Sequence, residues 1–213
     1  MAPRVRWLLL KASVFAAGLV PFAWLIYGAF ADRLGANPID VITDETGTWT
    51  LRFLVLTLLV TPLRRWTGVN ALIRFRRMLG LFAFFYGSLH FLTYVWLDQF
   101  FELASILKDI AKRPFITAGF TAFVLMVPLA LTSTTGWIRR LGRRWQMLHR
   151  LVYVSAILGV VHYWWLVKAD ISRPARYALI VGVLLGVRVL WAIRRRKRVG
   201  MGDTGGKGAR RGS

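Results

Sequence analysis

The stretch LGLFAFFYGSLHFLTYVWL, residues 79–97, decides the fold because it contains no charged residue. About 20 predominantly apolar residues form a helix long enough to cross the hydrocarbon core of a membrane. Five further stretches are similar in length and nearly as apolar, namely 12–30, 47–63, 115–131, 147–167 and 177–193. The sequence therefore predicts an all-α integral membrane protein, with a six-transmembrane-helix bundle over residues 1–193.

The charged residues lie mostly between these stretches and orient them. The chain has 30 Lys and Arg residues against 9 Asp and Glu residues. Twenty of the basic residues lie at the N-terminus, in 64–77, in 139–144 and in a Gly-rich tail over 194–213, against seven on the opposite side. Because positive charge marks the cytoplasmic side, both termini are predicted to be cytoplasmic. Charge shared among alternate loops favours a lipid bilayer as partner and excludes a nucleic-acid-binding face. No internal repeat is expected.

Histidine is the residue that points to a function inside the membrane. The chain has three, His90, His149 and His162, and all lie within predicted spans, where an ionisable residue is a functional hypothesis by default. With a rise of about 1.5 Å per residue, His90 lies about 17 Å and His162 about 23 Å from the cytoplasmic ends of their helices, but His149 only about 3 Å. We therefore predict that His90 and His162 form a pair on facing helices.

Such a pair suits haem better than zinc. Zinc needs three or four ligands, and the predicted spans contain no Cys, Asp or Glu. Haem iron needs only two axial ligands, and aromatic neighbours suit a flat macrocycle. The expected lining is Phe82, Phe84, Phe85, Tyr86, Phe91, Tyr94, Tyr163 and Trp164. Interhelical hydrogen bonds of the histidines, or another metal ion, remain alternatives.

His149 suggests a second site. It lies 13 residues before His162, or roughly 20 Å along a helix, which suits a redox centre near the cytoplasmic face. Fourteen residues before His90, close to the same face of the third helix, lies Arg76 and not a histidine. We expect an inner haem, if one is bound, to be held by His149 alone or with Arg76. Otherwise Arg76, Arg77 and Arg150 pair with haem propionates or a flavin phosphate, or serve only as topology charges.

Several stretches resemble one protein family. They are GTWTL (47–51), TPLR (61–64), RRMLGL (76–81), YGSLH (86–90), PLALTS (128–133), RRLGRRW (139–145) and LHRLVY (148–153), followed by His162. Over about residues 10–195 the chain is similar to the MsrQ family, also called YedZ, of the ferric-reductase-like transmembrane superfamily.

The resemblance implies haem b, one or two, on His90, His149 and His162, and a bound FMN at an unknown site. It implies a multi-pass protein of the bacterial cell inner membrane that passes electrons to MsrP, a periplasmic molybdopterin enzyme that repairs methionine sulfoxide in envelope proteins. The implied donor is membrane quinone or a cytosolic flavin reductase. Two-haem members of the superfamily carry two histidines on the third helix, whereas this chain carries only His90 there.

We therefore expect a transmembrane electron relay in which the chain itself breaks no substrate bond, since the cofactor carries the chemistry. The acidic outer loop 32–45 and the segment 98–113 are expected to dock the partner. Two alternatives remain: a ferric-chelate reductase with the same cofactor, and a haem-free transporter or assembly factor.

Overall fold

Helices form all the regular structure of the described part of the chain, which confirms the all-α prediction. A computed structural model describes residues 3–204. Its α-helices, in chain order, are α1 (Pro3–Phe30), α2 (Pro38–Thr67), α3 (Arg76–Thr93), α4 (Leu103–Lys112), α5 (Pro114–Leu131), α6 (Thr135–Leu141), α7 (Arg143–Leu148), α8 (Leu151–Leu166) and α9 (Ser172–Thr204). A 3-10 turn, Asn70–Phe75, precedes α3, and a π-helical turn, Tyr94–Asp98, follows it.

Within this part, five helical segments are long and apolar enough to cross a membrane. They are Arg4–Phe30, Pro38–Thr67, Asn70–Asp98, Pro114–Leu131 and Ser172–Arg195. The helix α8 has 16 residues, which is about 24 Å and shorter than a usual span of about 20 residues. The protein is a multi-pass membrane protein, while the count of six spans and the cytoplasmic termini stay predictions.

Two helices extend beyond the spans predicted for them. α2 begins at Pro38 rather than at residue 47, with Asn37 as its N-cap and proline at a favoured first position. The acidic residues of 38–45 therefore lie on the first turns of α2, and the prediction that they form a loop was wrong. α9 continues to Thr204, so the predicted tail starts as helix, and residues 205–213 lie outside the described part.

The segment predicted as the fifth span is divided. α7 ends at Leu148 and α8 begins at Leu151. Trp145 stacks on His149 with ring centroids 3.9 Å apart, and its Nε1 donates to Thr132 O at 3.0 Å. These contacts tie the junction to the end of α5, so that His149 lies between two helices.

Four helices form the centre of the bundle. α2 packs along α3 and α5 packs along α8, while α9 covers α2 and α8. Leu58, Tyr86 and Ala156 lie at the centre and are fully buried. Phe53 stacks on Tyr86 at a centroid distance of 5.4 Å. This apolar core is the frame on which the site residues stand.

One tyrosine fastens α1 to α3. Tyr86 Oη accepts a hydrogen bond from Phe22 N at 3.1 Å and donates one to Gly18 O at 2.8 Å. Pro21, which lacks a backbone donor, lies inside α1 beside these two groups. A Cβ on Gly18 would lie 2.5 Å from the Phe82 ring, so glycine permits this close approach.

The short helix α4 lies at the end of the bundle where α3 ends and α5 begins. Asp109 forms a salt bridge with Arg113 at 3.3 Å and accepts a hydrogen bond from Tyr94 Oη at 3.3 Å. The π-helical turn, α4 and the start of α5 are thereby joined. We call this the α4 end of the bundle and the opposite end the α7 end.

Candidate functional site

His90 of α3 and His162 of α8 meet inside the bundle. Their ring centroids lie 6.0 Å apart and their planes cross at 77°. Two imidazoles that bind one metal ion from opposite sides, at metal–nitrogen distances of about 2 Å, have centroids about 6 Å apart. The structure thus brings together the two histidines that the depth argument paired, and their role as ligands stays a prediction.

The two rings are oriented by the same kind of hydrogen bond. Nδ1 of His90 lies 3.0 Å from Thr43 O, and Nδ1 of His162 lies 2.6 Å from Phe115 O. A carbonyl oxygen only accepts, so Nδ1 carries the proton in each ring. In a neutral imidazole this leaves the Nε2 lone pair free to bind a metal ion. Metal-binding histidines are commonly held in this way by a second hydrogen bond.

A cavity of about 950 Å³ has both histidines in its wall. The wall comes from α2, α3, α5 and α8, with the beginning of α9 on one side. Its aromatic residues include Phe91, Tyr94, Phe115, Phe120, Phe123 and Tyr163. Its glycines are Gly47, Gly87, Gly119 and Gly159. The cavity wall is therefore mainly apolar and aromatic, with charged side chains among its residues, and its volume can hold a flat ligand.

The aromatic lining differs in part from the predicted one. Phe91, Tyr94 and Tyr163 line the cavity, whereas Phe82, Phe84, Phe85, Tyr86 and Trp164 are not in its wall. Tyr86 bonds to α1, Phe85 packs against Phe22 of α1, and Trp164 is exposed. A membrane helix contacts neighbours on several sides, so an aromatic residue close to a histidine in sequence often faces another helix.

Sequence reasoning missed the arginines that border this cavity, which are Arg52, Arg113, Arg173 and Arg176. Arg52 stacks over the Trp49 ring at 4.4 Å. Since arginine binds carboxylates through strong charge-assisted hydrogen bonds, these side chains can receive the propionates of a bound haem. The only signal in the sequence was the position of Arg52 inside an apolar stretch.

His149 is not in the wall of this cavity. Its Nε2 lies 3.1 Å from Thr132 Oγ1, and that hydroxyl donates its proton to Pro128 O at 2.6 Å. His149 Nε2 is therefore the donor to Thr132. Metal binding through Nε2 requires that this hydrogen bond be given up, and the role of His149 as a ligand stays a prediction.

The three arginines considered for the inner site differ in exposure. Arg76, on the first turn of α3, is half-buried, whereas Arg77 and Arg150 are exposed. The role of Arg76 beside His149, and the proposed contacts of all three with an anion, stay predictions.

The donor set at the His90–His162 pair fits haem. Over the described residues, no three or more His, Cys, Asp or Glu side chains are grouped to hold a metal ion. A zinc site made by the protein alone does not fit there, because it needs three or four ligands. Haem iron brings its own four nitrogens and takes the two axial ligands that two imidazoles supply.

Comparison with known proteins gives the family. Residues 46–160 match the model of a family described as "Ferric reductase like transmembrane component". A protein of Herminiimonas arsenicoxydans is 57% identical over 193 residues, which cover 89% of this chain and 88% of that protein. A protein of Polaromonas naphthalenivorans is 52% identical over 205 residues, covering 92% of this chain and 94% of that protein.

A third relative, from Bordetella pertussis, is 53% identical over 190 residues, covering 88% of this chain and 92% of that protein. All three relatives carry the name "Protein-methionine-sulfoxide reductase heme-binding subunit MsrQ". The chain therefore belongs to the MsrQ family of ferric-reductase-like transmembrane proteins.

Proposed function

We propose that this chain is the haem-binding, electron-transfer subunit of a protein-methionine-sulfoxide reductase in the bacterial inner membrane. The observation that carries the proposal is the His90–His162 pair, whose Nε2 atoms are free and whose centroids lie 6.0 Å apart in an apolar cavity. Its membership of the MsrQ family supports the assignment. A bound haem supplies one-electron chemistry there.

The chain's own residues hold and tune that group. His90 and His162 would hold the haem iron through Nε2, while Thr43 O and Phe115 O keep the two rings in position. The hydrogen bonds to the two rings and the burial of the site would tune the reduction potential of the bound group. The arginines at the border of the cavity would pair with the haem propionates.

The proposal extends to a second site at the α7 end. A second haem would use His149, alone or with Arg76, after loss of the hydrogen bond between His149 and Thr132. Arg77 and Arg150 are exposed and available to a propionate or to the phosphate of FMN. Quantitation of haem and flavin per chain distinguishes one group from two or three.

Electron entry and exit follow from the proposed orientation. The basic loops at the α7 end face the cytoplasm by the positive-inside rule, so a quinol or a cytosolic flavin reductase delivers electrons there. MsrP docks at the α4 end, where Asp40, Asp44 and Glu45 begin α2 and the 98–113 segment joins α3 to α5.

Haem quantitation on purified variants tests the proposal. The full chain and its His90→Ala, His162→Ala and His149→Ala variants are expressed with ample haem, and the pyridine haemochrome is measured per folded protein. Loss of the cavity haem is expected in the first two variants but not in the third. Retention of the full spectrum in both His90→Ala and His162→Ala contradicts the ligand assignment.

The acceptor is tested separately with the reduced protein. Oxidation by MsrP that holds methionine sulfoxide is expected to be faster than oxidation by a ferric chelate. The reverse order contradicts the reductase-subunit proposal and supports a ferric-chelate reductase with the same cofactor.

A further inference from the structure

The two halves of the cavity have the same local construction. His90 bonds to the carbonyl of Thr43, 47 residues earlier, and His162 bonds to the carbonyl of Phe115, also 47 residues earlier. Each ring also lies against a glycine 43 residues earlier, Gly47 for His90 and Gly119 for His162. We call each set of histidine, carbonyl and glycine a half-site.

A single shift in residue number relates the two half-sites. Thr43, Gly47 and His90 each have their counterpart 72 residues later, at Phe115, Gly119 and His162. The shift also relates Gly87 to Gly159, which lie three residues before the histidines and in the cavity wall. The half-site on α2 and α3 and the half-site on α5 and α8 therefore share the same residue spacing, which the sequence analysis did not anticipate. Few other residues in these helices are identical at that shift, which hid the common spacing.

The glycines leave the space in which the imidazoles lie. A Cβ on Gly119 would lie 2.7 Å from His162 Nδ1 and 2.9 Å from its Cε1. A Cβ on Gly47 would lie 3.0 Å from His90 Cε1 and 3.1 Å from its Nδ1. The approach at Gly119 is closer than any side chain with a Cβ allows, and the approach at Gly47 is tight for one. The same approach brings each Nδ1 within reach of a carbonyl one helical turn before the glycine.

We propose that Gly47 and Gly119 are positioning residues of the two half-sites, an inference that rests on the proposed haem function. Each glycine holds its imidazole against α2 or α5, so that Nδ1 donates to the carbonyl and Nε2 faces the shared centre. A methyl group at either position pushes the ring away from its carbonyl and toward the metal position. The rings are part of the wall of a packed bundle, so such a shift changes the ligand geometry.

The distances predict an order of effect. The contact at Gly119 falls below the closest approach that a real Cβ makes, and the atoms it meets belong to a ring fixed by Phe115 O. The contact at Gly47 is short by only a few tenths of an ångström. Gly119→Ala therefore disturbs its half-site more than Gly47→Ala does.

The test compares Gly47→Ala and Gly119→Ala with Gly182→Ala in the full-length, purified chain. Gly182 of α9 has no heavy atom within 4 Å of its Cβ position, so it reports the effect of the same substitution away from the site. Haem affinity, the EPR g values of the ferric haem and the midpoint potential are measured. Outer-shell changes at metal sites typically weaken binding by about tenfold or more, and this loss is expected for Gly119→Ala.

Gly47→Ala is expected to shift the g values and the potential in the same direction by a smaller amount, and Gly182→Ala to leave both unchanged. A glycine needed only for helix packing would lower the yield of folded protein without altering the spectrum of the haem that is bound. Folding of Gly119→Ala is checked by circular dichroism and gel filtration. If this variant does not fold, the g values and the midpoint potential of Gly47→Ala decide whether the inference holds.

Unchanged affinity, g values and potential in the folded glycine variants overturn the inference while the haem function stands. A wild-type chain that binds no haem overturns the proposed function, and the inference with it.

Discussion

The Tyr86→Phe substitution removes one hydroxyl group that bonds twice to α1. Tyr86 is fully buried, and its Oη bridges Phe22 N at 3.1 Å and Gly18 O at 2.8 Å. No other change of shape accompanies the substitution, so its effect measures these two hydrogen bonds.

The size of the stability loss depends on whether Phe22 N and Gly18 O find another hydrogen-bond partner in the variant. Hydrogen bonds between membrane helices contribute about 0.6 kcal/mol on average and at most about 1.7 kcal/mol. Two of them contribute about 1–3 kcal/mol on the same scale. Phe22 N and Gly18 O are four residues apart and can bond to each other when the hydroxyl is absent, which recovers part of the loss. We therefore expect Tyr86→Phe to lower the free energy of unfolding by about 1 kcal/mol.

The assay is reversible unfolding in mixed micelles, with the denaturing detergent increased stepwise and the helix content followed by circular dichroism. Tyr27→Phe is the matched control, because Tyr27 lies on α1 and is 55% exposed. A Tyr86→Phe variant that is as stable as Tyr27→Phe would refute the conclusion that the hydroxyl fastens α1 to α3.

Two further substitutions test the core and the cavity wall. Leu58→Ala removes a fully buried side chain and is expected to lower the free energy of unfolding by about 2–5 kcal/mol. Leu56→Ala, at a position 39% exposed, is the control and is expected to lower it clearly less in the same assay. Equal losses in the two variants would contradict the packing. Ser155 Oγ is buried in the cavity wall with no hydrogen-bond partner among the described residues, so Ser155→Ala should leave the stability of the haem-free chain unchanged or raise it by up to about 1 kcal/mol. A loss of stability in Ser155→Ala would show that the hydroxyl has a partner.

The fold class could be predicted from the sequence because the length of an apolar stretch is enough to identify a membrane-spanning helix. The stretch 115–131 was predicted and α5 runs from Pro114 to Leu131, since charged residues and a proline mark its beginning. Depth along a helix also follows from residue number, which is why the pairing of His90 and His162 could be argued from the sequence.

Two helix boundaries depend on packing and could not be predicted from hydropathy. The start of α2 at Pro38 includes acidic residues that hydropathy assigns to a loop. The division between α7 and α8 is accompanied by the stacking of Trp145 on His149, a contact that hydropathy does not show.

The contacts that orient the two histidines were also hidden from the sequence. Every residue carries a backbone carbonyl, so the choice of Thr43 O and Phe115 O as acceptors has no sequence signal. The common spacing of the two half-sites was hidden for a related reason, because it involves two glycines and a histidine in each half and few of the apolar residues between them.

The axial ligands of the bound haem test the central claim most directly. Near-infrared magnetic circular dichroism and EPR of the oxidised, full-length protein report which atoms bind the iron. We predict a low-spin ferric haem with two imidazole ligands, lost in His90→Ala and in His162→Ala and kept in His149→Ala. A protein without haem, or a two-imidazole signal that survives both of the first two substitutions, would contradict the account.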